Sequence, residues 1–403
     1  MQHAASAPTE RQVTSNSKPE FETSGILTIV SAHFTHDIFT AFLPSLLPRL
    51  IDKLSMSLTQ AGLLQVFMQL PSLLNVFLGW LVDRRNLRYL LVFAPAITGT
   101  MMSALGMASS FWLLAVMLFA TGASAAAFHV PAPAVIGRIA GAQVGKGMSF
   151  FMAAGELARA AGPLIVTWGL AEWTLEGIWR LAAIGWIASG VLFWRLRNVS
   201  TKSNRKRGAL REALPEFKRL FLPLAGLMLL RNPLITGMNL FLVVMLEREG
   251  YPLEQASAAL SVWFVAGVAG ALVGGTVSDR IGRKRTSAAA LACAGVLLLV
   301  FLSISGWFMI PVLILLGFTG LSVTPVLQAM VLEQLPEHRA TGNGLFMLLS
   351  FFIRSISSVL IGFVGDTLGL RTAFAIVALL TLAAVPFVWT LPGQQRPRTG
   401  IKV

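Results

Sequence analysis

Long apolar runs limit what this chain can fold into more than any single motif does. Of its 403 residues, 55% are hydrophobic and 12% are charged, whereas a soluble domain carries about 25% charged residues. Most runs are long enough to cross a bilayer as a helix, which takes about 20 residues. They lack the alternating polarity of membrane β-strands. The sequence therefore predicts an all-α membrane protein that crosses the bilayer many times.

Charges, glycines and prolines divide the apolar sequence into twelve predicted transmembrane helices. Their ranges are 25–50, 59–82, 88–108, 111–136, 147–171, 178–197, 220–247, 254–277, 287–306, 308–332, 343–368 and 370–391. The polar stretch 1–24 is predicted to be a disordered cytoplasmic tail, because it offers almost no apolar surface to bury. Residues 392–403 form a second predicted cytoplasmic tail.

The longest polar interruption, 198–219, separates six predicted helices from six. It defines an N-terminal bundle, 25–197, and a C-terminal bundle, 220–391. The stretch is basic, and we interpret it as a cytoplasmic linker. It is either partly an amphipathic helix on anionic lipid headgroups or a solvated loop that only enforces topology.

The positions of Lys and Arg predict the orientation in the membrane, because cytoplasmic loops carry an excess of both. With both termini placed in the cytoplasm, most of the 32 basic residues fall on that side. The opposite face has only Arg49, Lys53, Arg180, Arg248 and Arg371. This predicts a multi-pass membrane protein with both termini in the cytoplasm, and we expect it in the bacterial inner membrane. The net charge of +14 is spread over loops between spans, so we do not expect a nucleic-acid partner.

The sequence contains no pattern for a cofactor. Its single cysteine, Cys293, excludes a disulfide framework, and its five histidines lack the spacing of a structural zinc site. We therefore expect no metal and no other cofactor. We also expect no enzyme, since no set of nucleophile, base and orienting residue is evident.

Short segments recur between the two halves at an offset of 195 to 197 residues. The pairs are 79–84 with 275–280, 58–61 with 253–256, and 145–147 with 342–344. Two parallel six-helix halves, related by an axis along the membrane normal, place a substrate site between them near the middle of the bilayer.

The segment GGTVSDRIGRKR at 274–285 resembles the loop signature of the major facilitator superfamily. The copy at 79–88 keeps most of it but has Asn86 where Gly is usual. The resemblance implies the major facilitator fold: twelve transmembrane helices in two pseudo-symmetric six-helix bundles.

The same resemblance implies a gate at the cytoplasmic rim. There an Asp can accept hydrogen bonds from a helix N-terminus and an Arg can pair with nearby carboxylates, which locks one of two rocked states. The alternative is that these charges only anchor the topology. The predicted gate residues are Gly79, Asp83, Arg84, Gly275, Asp279, Arg280, Gly282 and Arg283.

Within the superfamily, the first half resembles the fosmidomycin-resistance group of efflux proteins. The matching segments are 32–48, 126–141 and 147–164. Glu156 and Arg159 fall where that group is expected to have uncharged residues. The resemblance implies export of a small molecule.

Ionisable groups inside a bilayer are costly and mark pathways for substrate or protons. Asp37 and Glu156 are the carboxylates well inside predicted spans, and His33 shares a helix face with Asp37 at spacing i, i+4. We predict that Asp37, His33 and Glu156 couple transport to protons. His33 and Asp37 could instead form a structural pair, and Glu156 with Arg159 either a static pair or a switch.

Cations inside the spans predict an anion site. If two or more of Arg159, Arg231 and Arg354 converge, they would hold a carboxylate or phosphonate. Arg354 could instead snorkel toward the cytoplasm. At an offset of 195, His36 and Asp37 correspond to Arg231 and Asn232. The predicted substrate-binding residues are Arg159, Arg231, His129, His36, Asn232, Gln69, Gln328 and Arg354.

Prolines and glycines within predicted helices indicate bends, because proline removes a backbone donor. His129, beside two of these prolines, is predicted to bind substrate or a proton, or else to pack at the bend. The predicted bend residues are Pro131, Pro133, Gly162, Pro163 and Pro325.

Taken together, these features predict a proton-coupled secondary transporter, an efflux antiporter for a small amphiphilic or anionic compound that works by alternating access. Its expected partners are the small-molecule substrate, protons and membrane lipid, and it is expected to be a monomer. A proton symporter that imports a sugar or organic acid is the first alternative. A membrane sensor that does not transport is the second.

Overall fold

The computed structural model describes residues 21–75, 77–78, 81, 85–141, 143–197, 210–335 and 339–392. Within these ranges the chain is almost entirely helical and has no β-strand. Residues 1–20 of the predicted tail 1–24, residues 393–403 of the predicted tail 392–403, and residues 198–209 of the predicted linker lie outside the described residues. Three predicted gate residues, Gly79, Asp83 and Arg84, lie outside them as well.

Eight α-helices can be delimited within the described residues of the first half. They are α1 (Thr23–Thr40), α2 (Leu43–Leu54), α3 (Leu58–Gln69), α4 (Arg88–Ser103), α5 (Phe111–His129), α6 (Ala132–Ile139), α7 (Val144–Gly177) and α8 (Ala182–Arg195). Short 3-10 segments, Leu70–Leu74 and Ile178–Leu181, extend α3 and precede α8.

Six α-helices make up the second half. They are α9 (Leu210–Arg248), α10 (Leu253–Ile281), α11 (Arg283–Ser303), α12 (Met309–Gln334), α13 (Arg339–Leu368) and α14 (Leu370–Phe387). Because α9 begins at Leu210, part of the stretch predicted as a linker is helix continuous with the following span.

Nine helical stretches of the described residues are long and apolar enough to cross a membrane. One of them, Val144–Arg195, is 52 residues long and contains both α7 and α8. Eleven of the twelve predicted ranges coincide with one described helix or with a pair of consecutive helices. The other, 59–82, coincides with α3 and the 3-10 segment that ends at Leu74, and its last part lies partly outside the described residues. The prediction of an all-α, multi-pass membrane fold is therefore confirmed, and twelve crossings are consistent with it.

The helices break at positions that only partly coincide with the predicted bends. Helix α5 ends at His129 and α6 begins at Ala132, so the chain is interrupted at Pro131. By contrast, α7 continues through Pro163 and α12 through Pro325. The non-helical residue inside α7 is Thr174, whose φ is 62°.

Helices of the two halves contact each other chiefly as α3 with α13, α7 with α10, and α2 with α9, and α2 also contacts α10. Glycines allow α3 and α13 to approach backbone to backbone. A Cβ atom on Gly62 would lie 2.3 Å from the carbonyl oxygen of Ser358, and one on Gly362 would lie 2.3 Å from that of Leu58. Any larger residue at these two positions would push the halves apart.

A continuous hydrophobic core joins the halves. Fully buried aromatic side chains of both, such as Phe42 on the first and Phe241 and Trp263 on the second, belong to one cluster. The halves therefore share a core on one side of the molecule, and the polar groups described below lie beside it.

Candidate functional site

A buried carboxylate in the first half is surrounded by imidazole rings. Asp37 Oδ2 lies 3.2 Å from His33 Nε2, and Asp37 Oδ1 lies 2.9 Å from His36 Nδ1 and 3.2 Å from His129 Nε2. Asp37, His33 and His36 are buried, while 38% of the His129 side chain is exposed. We call Asp37 with these three histidines the acid cluster.

Helix geometry and ring stacking position the acid cluster. His33 and Asp37 lie one turn apart on α1, and the His33 ring stacks on Phe151 of α7 at a centroid distance of 3.8 Å. The Phe151 carbonyl accepts a hydrogen bond of 2.7 Å from His33 Nδ1. Gly155 makes room for the cluster, because a Cβ there would lie 2.6 Å from His33 Cε1.

A chain of hydrogen bonds fixes where His36 carries a proton. Ser124 donates to the carbonyl of Ala94 and Thr98 donates to Ser124, both at 2.9 Å. The single hydroxyl proton of Thr98 is thereby used, so its oxygen accepts from His36 Nε2 at 3.0 Å. His36 Nδ1 then faces Asp37 Oδ1, and a hydrogen bond between them requires a further proton on one of the two groups.

His33 leads to the same conclusion. Its Nδ1 carries a proton, since the Phe151 carbonyl can only accept. Its buried Nε2 has no hydrogen-bond partner of acceptable geometry among the described residues, yet lies against the Asp37 carboxylate. Two lone pairs at that distance repel unless a cation lies between them. The acid cluster is therefore arranged to hold at least one proton beyond the neutral imidazoles and the carboxylate.

Three members of the acid cluster form the group of described residues that could hold a metal ion. Ligand atoms of His33, Asp37 and His129 all lie within 4.8 Å of one another. The sequence predicts no metal here.

A central cavity of about 150 Å³ lies between the halves. Its lining includes Thr40 and Ala41 at the end of α1, Arg159 of α7, Asn239 of α9 and Arg354 of α13. The cavity thus receives side chains from both bundles, as expected for a substrate site at the interface of two repeats.

The three arginines inside the spans converge on this region. Arg159 and Arg354 line the cavity, and their positive charges repel each other. The positive charges of Arg354 and Arg231 also repel each other. Arg231 is fully buried behind the lining; it donates to Asn232 Oδ1 at 3.2 Å and also to Thr324. Neither Arg231 nor Arg354 pairs with a carboxylate among the residues that the structure describes.

Glu156 and Arg159 form an ion pair on α7 at spacing i, i+3. Both side chains are partly exposed, at 33% and 42%. Glu156 is the one carboxylate that neutralises a cavity arginine within the described ranges, so the cavity carries excess positive charge.

The remaining predicted ligands are distributed over three places. His36 and His129 belong to the acid cluster rather than to the cavity lining. Asn232 accepts a hydrogen bond from Arg231. Gln69 lines the central cavity. Gln328 donates to Asn343, a neighbour on α13.

The described part of the predicted gate is an ion-pair network within the second half. Arg283 contacts Asp279 Oδ1 at 2.6 Å and Glu333 Oε1 at 2.8 Å. Gly282 separates α10 from α11 with a φ of 100°, a conformation that favours glycine. Gly275 has open space at its Cα, and Arg280 is exposed.

Asp366 was not predicted as a functional residue, but it joins the two halves. This carboxylate of α13 accepts from the backbone N–H of Leu58 at 2.7 Å and of Thr59 at 2.9 Å, at the N-terminus of α3. Capping from another helix satisfies free donors and complements the helix dipole. The sequence shows a charged residue near the end of a predicted span, but it does not show which group that residue contacts.

Two more contacts join the same ends of the halves. Arg49 pairs with Glu247 at 2.9 Å, and Ser257 donates to Ser45 at 2.9 Å. On the predicted topology these ends face away from the cytoplasm. The structure therefore holds the two halves together at that side.

Comparisons with known proteins agree with this architecture. The family model of the Major Facilitator Superfamily matches residues 29–253 and 234–402. This chain therefore belongs to the Major Facilitator Superfamily, and it is a membrane transporter rather than an enzyme.

Two curated relatives align over most of the chain. It is 25% identical to an uncharacterized MFS-type transporter, YfnC of Bacillus subtilis, over 94% of this chain and 96% of the relative. It is 23% identical to the fosmidomycin resistance protein of Escherichia coli, over 89% of this chain and 90% of the relative. The predicted resemblance to that group is thereby confirmed.

A solved structure supports the fold alone. The crystal structure of the nucleoside transporter NupG is similar at a TM-score of 0.77 and 13% identity, over 91% of this chain and 98% of that one. The helices and their arrangement in two halves are thus those of a major facilitator transporter.

Proposed function

We propose that this protein is a proton-coupled secondary transporter that exports a small anionic or amphiphilic compound by alternating access. One observation supports it above the others: a carboxylate held by three imidazoles lies one helical turn from a cavity that presents two arginines. The proton site and the anion site are thus separate but adjacent.

Helix α1 connects the two sites. The backbone carbonyl of Asp37 accepts from Thr40 Oγ1 at 2.9 Å and from the N–H of Ala41 at 3.2 Å, and both Thr40 and Ala41 line the cavity. A change in the protonation of Asp37 alters its bonds to His33, His36 and His129. A shift of α1 that follows would change the shape of the cavity.

The arginines define the charge of the substrate. Arg159 and Arg354 repel each other, and only Arg159 has an acidic partner in the described ranges. An anion between them would relieve this repulsion, and planar guanidinium groups bind carboxylate or phosphonate through two parallel hydrogen bonds. Arg231, behind Arg354, adds positive potential without reaching the lining.

Proton binding at the acid cluster would supply the driving force. A proton gradient contributes about 1.4 kcal/mol per pH unit, and the membrane potential contributes about 2.3 kcal/mol per charge for each 100 mV. In this proposal Asp37 and His33 carry the proton, while the Glu156–Arg159 pair opens when the anion competes for Arg159. The monomer is the working unit.

We further propose the bacterial inner membrane as the location, with both termini cytoplasmic. The Asp279–Arg283–Glu333 network lies at the cytoplasmic rim in this orientation. We propose that the predicted gate residues take part in closing this rim when the transporter opens away from the cytoplasm.

The test is proton flux in proteoliposomes, measured with a pH-sensitive dye against a panel of anionic and cationic compounds. We expect anionic compounds to drive proton movement in the wild type and not in Asp37→Asn. Asp52→Asn is a matched control, because Asp52 is an exposed acid on the neighbouring helix α2. Equal flux in Asp37→Asn and the wild type would refute proton coupling at this site.

Direction requires a cellular assay. Export predicts that expression lowers retention of the compound and raises resistance to it. Import by symport, the alternative, predicts improved growth when a sugar or organic acid is scarce.

A further inference from the structure

An apolar groove opens on the membrane-facing side of the contact between α3 and α13. It encloses about 450 Å³ and is lined mainly by aliphatic and aromatic side chains, among them Val66, Leu70, Phe352, Ile356 and Val359. Phe352 is 63% exposed. We call this the lateral groove.

The lateral groove exists because α3 and α13 touch at one end and separate at the other. Gly62 and Gly362 permit backbone contact near the start of α3. Farther along the chain, from Leu63 in α3 to Leu73 in the 3-10 segment that follows it, the space beside α13 is unfilled. On the predicted topology this opening faces the cytoplasmic half of the bilayer.

The lateral groove adjoins the central cavity at Gln69. Gln69 lines both spaces, and the buried oxygen of its side chain has no hydrogen-bond partner within the described ranges. Phe351 lines the groove while Arg354 lines the cavity, and the Arg354 guanidinium lies 4.8 Å from the Phe351 ring centroid. A positively charged chamber thus adjoins an apolar channel, with a polar amide at the junction.

We infer that the central cavity and the lateral groove together bind one molecule, a single-chain anionic amphiphile. Its anionic head pairs with Arg159 and Arg354, a hydroxyl or amide N–H of its linker donates to Gln69, and its alkyl chain lies between α3 and α13. This inference rests on the proposed anion site and adds the chemistry of the rest of the ligand.

The chain-length dependence of binding follows from this arrangement. Burial of each additional methylene is expected to strengthen binding about fourfold, until the groove is full. Partition of the probe into the bilayer gives a similar trend, so affinity must be compared between variants in the same membrane, where partition cancels.

The experiment measures the binding of n-alkylphosphonates, from methyl to dodecyl, to the full-length protein in nanodiscs of fixed lipid composition. Ser355→Trp fills the groove, since Ser355 is one of its lining residues. Gly190→Trp is the control, because Gly190 is an exposed position of α8 where a Cβ meets nothing within 4 Å.

We expect Ser355→Trp to bind methylphosphonate as the wild type does and to lose affinity progressively with chain length, by tenfold or more at the longest chains. Gly190→Trp should match the wild type throughout. If the ratio of the wild-type affinity to the Ser355→Trp affinity does not change with chain length, ordinary boundary lipid fills the groove. That result would overturn the inference.

A second variant separates this outcome from failure of the anion site. Arg354→Gln should weaken every phosphonate, including methylphosphonate, by a similar factor. If Arg354→Gln changes nothing, the proposed anion site is wrong; if it acts as expected while the Ser355→Trp ratio is flat, only the groove is wrong.

Discussion

The two halves of this transporter use the same three positions for opposite chemistry. In the first half His36, Asp37 and His129 form part of a buried carboxylate–imidazole cluster. The residues 195 positions later are Arg231, Asn232 and Thr324, and they are also bonded to one another. The contact between the first helix and the fourth span of each half is thus repeated, with an acid in one half and a guanidinium in the other.

A duplicated fold can carry different charges at equivalent positions of its two halves. A repeat places equivalent positions at equal depth on either side of a central cavity. In the proposed mechanism, one half binds protons while the other contributes positive potential for an anion in the shared cavity. The backbone arrangement is common to both halves, and the side chains differ in charge.

Removal of the acid should have the largest effect. We expect Asp37→Asn to reduce proton-driven transport to the background of empty vesicles, because no carboxylate remains between the histidines to carry the proton. Counterflow exchange of the substrate should survive, since the cavity arginines are intact. Measurement of both activities in the same proteoliposomes checks this, and loss of both would indicate general misfolding.

Crowding the acid cluster should come next. Gly155→Ala places a Cβ 2.6 Å from His33 Cε1, and a ring fixed by stacking on Phe151 cannot move away easily. We expect the free energy of unfolding to fall by about 1–3 kcal/mol, as in overpacked cores. Chemical denaturation in detergent measures it. Gly190→Ala is the control, with open space around the new methyl group, and an equal loss there would remove the argument.

The second half should respond differently to loss of its charge. Arg231→Met removes a buried cation that lacks a carboxylate partner among the described residues, and such replacements are often neutral or stabilising. We expect anion affinity to fall about tenfold, or about 1.4 kcal/mol, with little change in thermal stability. Ligand titration and a melting curve test the two parts, and equal loss for neutral ligands would indicate a structural role.

The contact between the halves should give the smallest effect. Asp366→Asn removes the negative charge at the N-terminus of α3, a contribution of about 1 kcal/mol. This corresponds to about a fivefold shift toward separation at that end. The labelling rate of Ser45→Cys in a Cys293→Ser background reports it, since Ser45 is buried against Ser257. Glu172→Gln is the control, since Glu172 is an exposed acid of α7, and unchanged labelling of Asp366→Asn would contradict the role.

Much of the fold could be predicted from the sequence. Runs of apolar residues in a lipid solvent must form helices, because every backbone group needs an internal partner. The loop signature at 274–285 and the repeat offset added the family, which the comparisons confirm. Boundaries were less certain: α9 starts at Leu210 rather than near 220, since a helix can extend beyond the bilayer wherever its residues permit.

The site was only partly accessible in this way. The spacing of His33 and Asp37 predicted that they share a helix face, and His33 Nε2 lies 3.2 Å from Asp37 Oδ2. The approach of His129 depends on how α5 ends beside α1, and no sequence spacing encodes that. The partner of Asp366 is the N-terminus of a helix some three hundred residues away, which only the assembled halves reveal.

The sequence by itself determined that this protein lies in a lipid bilayer, which segments are helical spans, and that the architecture is duplicated. Hydrophobicity and backbone hydrogen bonding decide these features because they act locally along the chain. The tertiary structure decided which charges meet: three imidazoles on one carboxylate, and two arginines at a cavity that shares Gln69 with an apolar groove. These neighbours come from different helices, so their distances follow from how the helices pack and not from their order.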